Sequence, residues 1–148
     1  MCFTMTTFVE AARVTTDVRF RGMLVSDSGP TVLIVEDDEM NSELLHTVFK
    51  RNGFEVLIAR NGTTALEMAQ ARLPDVIVCD VNMGAMSGYQ VCAGIRENPA
   101  TAHIPFIIQT GSESDVERQK ALDAGATDFL PKMSGWPRLV ERVKSLLA

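Results

Sequence analysis

Acidic side chains sit in this sequence where short apolar runs end. Glu36, Asp37 and Asp38 follow Val32-Leu33-Ile34-Val35 directly. Asp80 ends the run Val76-Ile77-Val78-Cys79, and Asn82 stands two residues further on. Thr110-Gly111 comes just after Phe106-Ile107-Ile108, and Lys132 follows Phe129-Leu130-Pro131. If the run ends converge, at least Glu36, Asp37 and Asp80 share a small volume. Two like charges about 4 Å apart repel by roughly 4 kcal/mol at an effective dielectric near 20. A hard divalent cation with oxygen ligands offsets that repulsion, and Mg²⁺ suits a few carboxylates with water. Lys132 would bring a second positive charge to the same place. A thiolate or imidazole site finds no support: Cys2, Cys79 and Cys92 form no CxxC, and His46 and His103 have no partner at ligand spacing.

The elements that must position these residues are legible from periodicity. Five short apolar runs (the four above and Val56-Leu57-Ile58) read as strands buried on both faces. Amphipathic segments alternate with them. Leu44, Leu45, Val48 and Phe49 form a stripe ended by Asn52-Gly53, and Ala65, Leu66, Met68 and Ala69 follow Asn61-Gly62 and precede Pro74. Ser87 and Gln90 make a capping box before Val91, Cys92 and Ile95, and Asn98-Pro99 closes that helix. Ser114 with Glu117 opens a fourth helix ended by Gly125. A fifth starts near Pro137 and is expected to bury Trp136, Leu139, Val140, Val143, Leu146 and Leu147, with an exposed anchor for a partner as the alternative for Trp136. Such alternation predicts a five-stranded parallel, doubly wound α/β sheet with helices on both faces. Ligands of such sheets bind beyond the carboxyl ends of the strands, where the candidate residues fall.

Composition sets the outer bounds. With 148 residues, 46% apolar and 22% charged, the chain has room for one full core. A net charge of -5 and the lack of any Lys/Arg run argue against direct nucleic-acid binding. No apolar stretch approaches membrane-spanning length, and Arg13, Arg19 and Arg21 interrupt any secretion-signal pattern, so no membrane role and a cytoplasmic location are expected. Residues 1–29 lack periodicity and end at a turn, Asp27-Ser28-Gly29-Pro30. They are expected to be a disordered extension before a domain over 30–148, with Met23 as an alternative start.

A carboxylate is a weak nucleophile, so an aspartate that takes up a phosphoryl group needs positioning and charge neutralisation. Mg²⁺ and Lys132 would neutralise, and the Thr110 hydroxyl could donate to a phosphoryl oxygen. In this respect the sequence resembles the receiver domains of two-component response regulators, whose fold is a flavodoxin-like (βα)5 sheet. The carrying motifs are Val-Leu-Ile-Val-Glu36-Asp37-Asp38, Val-Cys-Asp80-Val-Asn82-Met, Ile-Ile-Gln-Thr110-Gly111 and Ala-Gly-Ala-Thr-Asp-Phe129-Leu-Pro-Lys132, within about residues 31–147.

The resemblance implies that Asp80 is the phosphoacceptor, with Thr110 and Lys132 completing the catalytic set. It implies Mg²⁺ bound by Asp37 and Asp80 directly, Asn82 through its backbone carbonyl and Glu36 through water. Thr110 and Phe129 resemble the family's switch pair, whose movement reshapes the face of the fourth helix, fifth strand and fifth helix for a downstream protein. The implied donor is a sensor histidine kinase or phosphotransfer protein. With nothing following Ala148, output is expected as a protein contact or phosphoryl relay by a chain that modifies only itself rather than a turnover enzyme.

Four positions depart from the family pattern. Met133 follows Lys132 where Pro is usual, so a trans bond is expected there, since a cis bond without proline costs about 2.5–4 kcal/mol. Gly84 replaces a common Pro and should loosen the loop after Asp80. Ser87 replaces a frequent Asp but still caps its helix, and Phe129 replaces the commoner Tyr. The Met133 and Gly84 departures motivate one competing reading, a phosphate-independent interaction module. A phosphohydrolase with an aspartyl-phosphate intermediate is disfavoured by Asn82 and by the lack of room for a cap. A nucleotide or flavin binder is disfavoured by the lack of a Gly-rich loop after the first strand.

Overall fold

The computed structural model describes residues 29–112 and 114–148. The disordered extension expected over 1–29 therefore lies, but for Gly29, outside the described residues. In chain order the elements are β1 (Thr31–Val35), α1 (Glu39–Arg51), β2 (Glu55–Ala59), α2 (Gly62–Arg72), β3 (Val76–Asp80), α3 (Gly88–Glu97), β4 (Phe106–Thr110), α4 (Asp115–Ala124), β5 (Asp128–Pro131), a 3₁₀ turn (Lys132–Ser134) and α5 (Trp136–Leu147). All strand pairs are parallel, in the order β2-β1-β3-β4-β5. The chain steps outward from β1 to β2 and returns to β3, so the connections leave β1 and β3 in opposite directions and open a crevice between their carboxyl ends.

Alternation along each strand divides the core into two layers. Leu33, Val35, Ile77, Cys79, Phe106, Ile108 and Phe129 face α2, α3 and α4, meeting Ala65, Ala69, Val91, Cys92, Ile95 and Ala121. Val32, Ile34, Val76, Val78, Ile107 and Leu130 face α1 and α5, meeting Leu45, Phe49, Leu139, Val140 and Val143. Cys79 and Cys92 are buried free thiols and serve as ordinary core residues.

Helix ends follow the local signals. Asp38, Asn61, Ser87 and Ser114 each accept, at the N-cap, a hydrogen bond from the backbone three residues on. The Ser87–Gln90 capping box closes in both directions. At α4 only half of such a box forms, because the Glu117 carboxylate accepts a 2.6 Å hydrogen bond from the Tyr89 hydroxyl of α3 instead. Trp136 departs from expectation. It is 39% exposed, because as the first residue of α5 it lies over the seam between α1 and α5 rather than inside it. Leu146 and Leu147 are half-buried near the end of the same helix.

Candidate functional site

β1 and β3 are neighbours in register, Val35 opposite Cys79, so the next residues, Glu36 and Asp80, meet at the carboxyl edge of the sheet. By alternation both belong to the face that carries α1 and α5. Oxygen atoms of Glu36, Asp37 and Asp80 lie within 4.8 Å of one another, with Glu36 and Asp80 buried and Asp37 exposed. Gly88 opens α3 so close to Asp80 that a Cβ there would stand 2.4 Å from the Asp80 carbonyl oxygen. Its N–H donates to the Val81 carbonyl at 2.8 Å, which ties the start of α3 to the end of β3.

Glu36 is held firmly. The Asn41 Nδ2 amide donates to Oε1 at 2.6 Å, and the Asp38 N–H donates to Oε2 at 3.3 Å. Burial, and then the adjacent Asp80 charge, raise the Glu36 carboxyl above its ordinary range, while Asn41 and Lys132 draw it part of the way back. Asp38 caps α1 by accepting a hydrogen bond from the Asn41 N–H at 2.9 Å.

Lys132 reaches the site despite the missing proline. Its Nζ lies 3.1 Å from Asp80 Oδ2 and 3.6 Å from Glu36 Oε1. Partial burial opposes the charge, but the hydrogen bond and charge of Asp80, joined by Glu36, outweigh it and hold the ammonium above its ordinary value. All peptide bonds among the described residues are trans, including that between Lys132 and Met133. The backbone is shaped by other means. Pro131 ends β5 opposite Thr110, and the Ser134 hydroxyl donates to the Pro131 carbonyl at 2.7 Å. The Gly135 N–H returns to the Lys132 carbonyl at 3.2 Å, with Gly135 at φ +88, a conformation that favours glycine.

Thr110 and Phe129 lie on the other face of the sheet, on neighbouring strands, with Phe129 opposite Ile108. The buried Thr110 hydroxyl accepts from the Ser112 N–H at 3.2 Å. The Phe129 ring is buried, and the Arg118 guanidinium of α4 sits 5.3 Å from its centre. Asn82 is exposed in the loop that follows β3, two residues beyond Asp80. Gly84 in that loop has φ +76, which proline cannot adopt, so the loop follows a path that the usual residue would forbid.

Sequence reasoning missed Asn41 and Ser134. Asn41 carried a faint signal as a polar residue three places after an N-cap. Ser134 carried none, because its role depends on the turn that replaces the proline. Together these groups offer a carboxylate nucleophile, a neutralising ammonium and a cluster of hard oxygen donors, with no histidine or cysteine joining that cluster among the described residues. The donor set suits a hard divalent cation.

Comparison with known proteins agrees with this geometry. A family model described as the response regulator receiver domain matches residues 32–144. Response regulator PleD of Caulobacter vibrioides is 40% identical over 115 residues, 78% of this chain, and the match spans only 25% of PleD. Polar-differentiation response regulator DivK of Brucella anthropi is 31% identical over 117 residues, 79% of this chain and 95% of DivK. Among solved structures, the receiver domain of sensor histidine kinase PA1611 from Pseudomonas aeruginosa is 25% identical with a TM-score of 0.73, covering 79% of this chain and 96% of that one. That structure has a magnesium ion coordinated in its active-site cleft.

Proposed function

Because the chain belongs to the response regulator receiver family of two-component signalling, we propose that Asp80 accepts a phosphoryl group from a sensor histidine kinase or a histidine-bearing phosphotransfer protein. One observation carries this reading above the others: the Lys132 ammonium lies 3.1 Å from the Asp80 carboxylate, inside a cluster of acidic groups. In the transfer, an Asp80 oxygen forms a bond to phosphorus as the bond from phosphorus to the donor imidazole nitrogen breaks. The imidazole leaves with the electron pair. Lys132 stabilises the negative charge on the phosphoryl oxygens in flight, and the Thr110 hydroxyl supplies a hydrogen bond to the product.

Glu36, Asp37 and Asp80, with the Asn82 backbone carbonyl, would hold Mg²⁺, which supplies further charge neutralisation for phosphoryl transfer. The chain modifies itself and does not turn over a separate substrate. Output follows from Phe129, whose ring borders a groove of about 1100 Å³ between α4, β5 and α5 that also takes in Arg118, Arg138 and Arg142. A change in the ring's position alters that wall for a downstream protein, in keeping with a cytoplasmic signalling role.

The test is transfer from a histidine-phosphorylated phosphotransfer protein carrying radiolabelled phosphate. Label should leave the donor and appear on this chain, but not on Asp80→Asn. Label that never moves to the wild-type chain, or that moves equally to Asp80→Asn, contradicts the assignment.

A further inference from the structure

The site has a near neighbour that the chemistry above does not use. Gln109 is directly opposite Asp80 in the β3–β4 register. Alternation sends both side chains to the face that carries α1 and α5. Gln109 is only 6% exposed, yet among the described residues its carboxamide makes no hydrogen bond. It borders a cavity of about 420 Å³ that is also lined by Asn41, Lys132 and Trp136. Two of those residues, Asn41 and Lys132, are the ones that grip Glu36 at the site.

A buried amide without a partner opposes folding, and an apolar side chain of the same shape would remove that cost. The three preceding positions of β4 (Phe106, Ile107 and Ile108) are apolar, and the buried hydroxyl of Thr110 after it has a partner in the Ser112 N–H. Lys132 supplies the complementary need. Its ammonium has three N–H donors, and two are directed to Asp80 and Glu36. When Asp80 takes up a phosphoryl group, Lys132 must direct a donor to the phosphoryl oxygens, and its grip on Glu36 changes. The Gln109 carboxamide oxygen is an unused acceptor in the cavity that Lys132 already lines.

We propose that Gln109 is a positioning residue for the phosphoryl transfer, its carboxamide oxygen taking a hydrogen bond from Lys132 and aiming the ammonium at the phosphoryl group on Asp80. The inference rests on the reading of Asp80 as acceptor and adds a role that acts only through Lys132.

The test substitutes Gln109→Met, which keeps the length of the side chain and removes the amide, alone and in a Lys132→Met background. Maximal rate of phosphorylation by acetyl phosphate, the Mg²⁺ concentration for half-maximal rate and the thermal midpoint are measured together. Gln109→Met should leave the midpoint unchanged or raised and the Mg²⁺ requirement unchanged. It should lower the maximal rate about tenfold, in the range expected for a hydrogen bond to a charged group, and have no further effect once Lys132 is gone. An unchanged maximal rate, or the same loss in both backgrounds, overturns the inference while the Asp80 assignment stands. If the wild-type chain accepts phosphate from neither acetyl phosphate nor a phosphohistidine donor, the Asp80 assignment fails and takes this inference with it.

Discussion

Lys132 and Asp80 are joined across the open edge of the sheet by a 3.1 Å contact between ammonium and carboxylate, although they are 52 positions apart in sequence and Lys132 follows β5, a strand that does not pair with the β3 that Asp80 ends. The contact neutralises the nucleophile's surroundings without blocking its second oxygen. Replacing Lys132 with Met removes the charge and retains the stem that packs over the cavity. The variant should fold normally by circular dichroism and be phosphorylated on the order of 100-fold more slowly, the scale of losing one electrostatic donor from a transfer site.

The turn after β5 gives a second expectation. The Ser134 hydroxyl closes onto the Pro131 carbonyl at 2.7 Å and fixes the backbone from which Lys132 extends. Ser134→Ala should slow phosphorylation about fivefold, since one ordinary hydrogen bond contributes about 1 kcal/mol. Ser134→Thr should restore most of the rate. Stopped-flow labelling of the three proteins decides it, with a rate for Ser134→Ala equal to that of wild type counting against the role.

The link between α3 and α4 carries a pH signature. The Tyr89 hydrogen bond, more than the nearby Lys120 charge, holds the Glu117 carboxyl below its ordinary value. A carboxyl whose folded value is depressed adds stability above its unfolded value, and loses it as pH falls through the folded one. Tyr89→Phe should therefore be less stable than wild type at pH 7, and the two should converge in acid. Urea unfolding at neutral and acidic pH tests this, and a difference that persists or grows in acid would be contrary to the assignment.

Arg96 ties the fold together away from the site. Its guanidinium donates to the carbonyls of Gly125, Ala102 and Ile104 at 2.9, 3.0 and 2.7 Å, and to the Thr127 hydroxyl at 3.2 Å. Arg96→Met leaves several half-buried acceptors without a donor and should cost about 2–4 kcal/mol in urea unfolding. The folded fraction should still be phosphorylated at the wild-type rate. A slowed rate at full folding would mean that the loops it clamps reach the site.

Much of this was legible in the sequence, and what was not has physical reasons. Strand ends are readable because a buried parallel strand is an apolar run whose end is marked by the first charge, as at Glu36 and Asp80. Once the runs are seen to be parallel, topology alone brings those ends together. Hydrogen bonds that depend on register across strands or on a turn's path leave no such mark, so the roles of Asn41 and Ser134 emerge only in three dimensions. Glu117 looked like half of a capping box and is engaged by Tyr89, a partner 28 positions away. Periodicity counts Trp136 with the buried face, but as a first-turn residue over the seam between α1 and α5 it keeps 39% of its surface exposed. Met133 stands after Lys132 where the family pattern has a proline to shape the backbone. The structure meets that need with a 3₁₀ turn and Gly135 in place of a proline.

The most direct measurement is the intact mass of the purified chain after incubation with Mg²⁺ and acetyl phosphate, beside Asp80→Asn and a sample with the metal chelated. The account predicts a single phosphoryl adduct on the wild-type chain that is missing from both controls. An adduct of the same yield on Asp80→Asn would contradict it. So would a folded wild-type chain that gains no adduct from acetyl phosphate and none from a phosphohistidine donor.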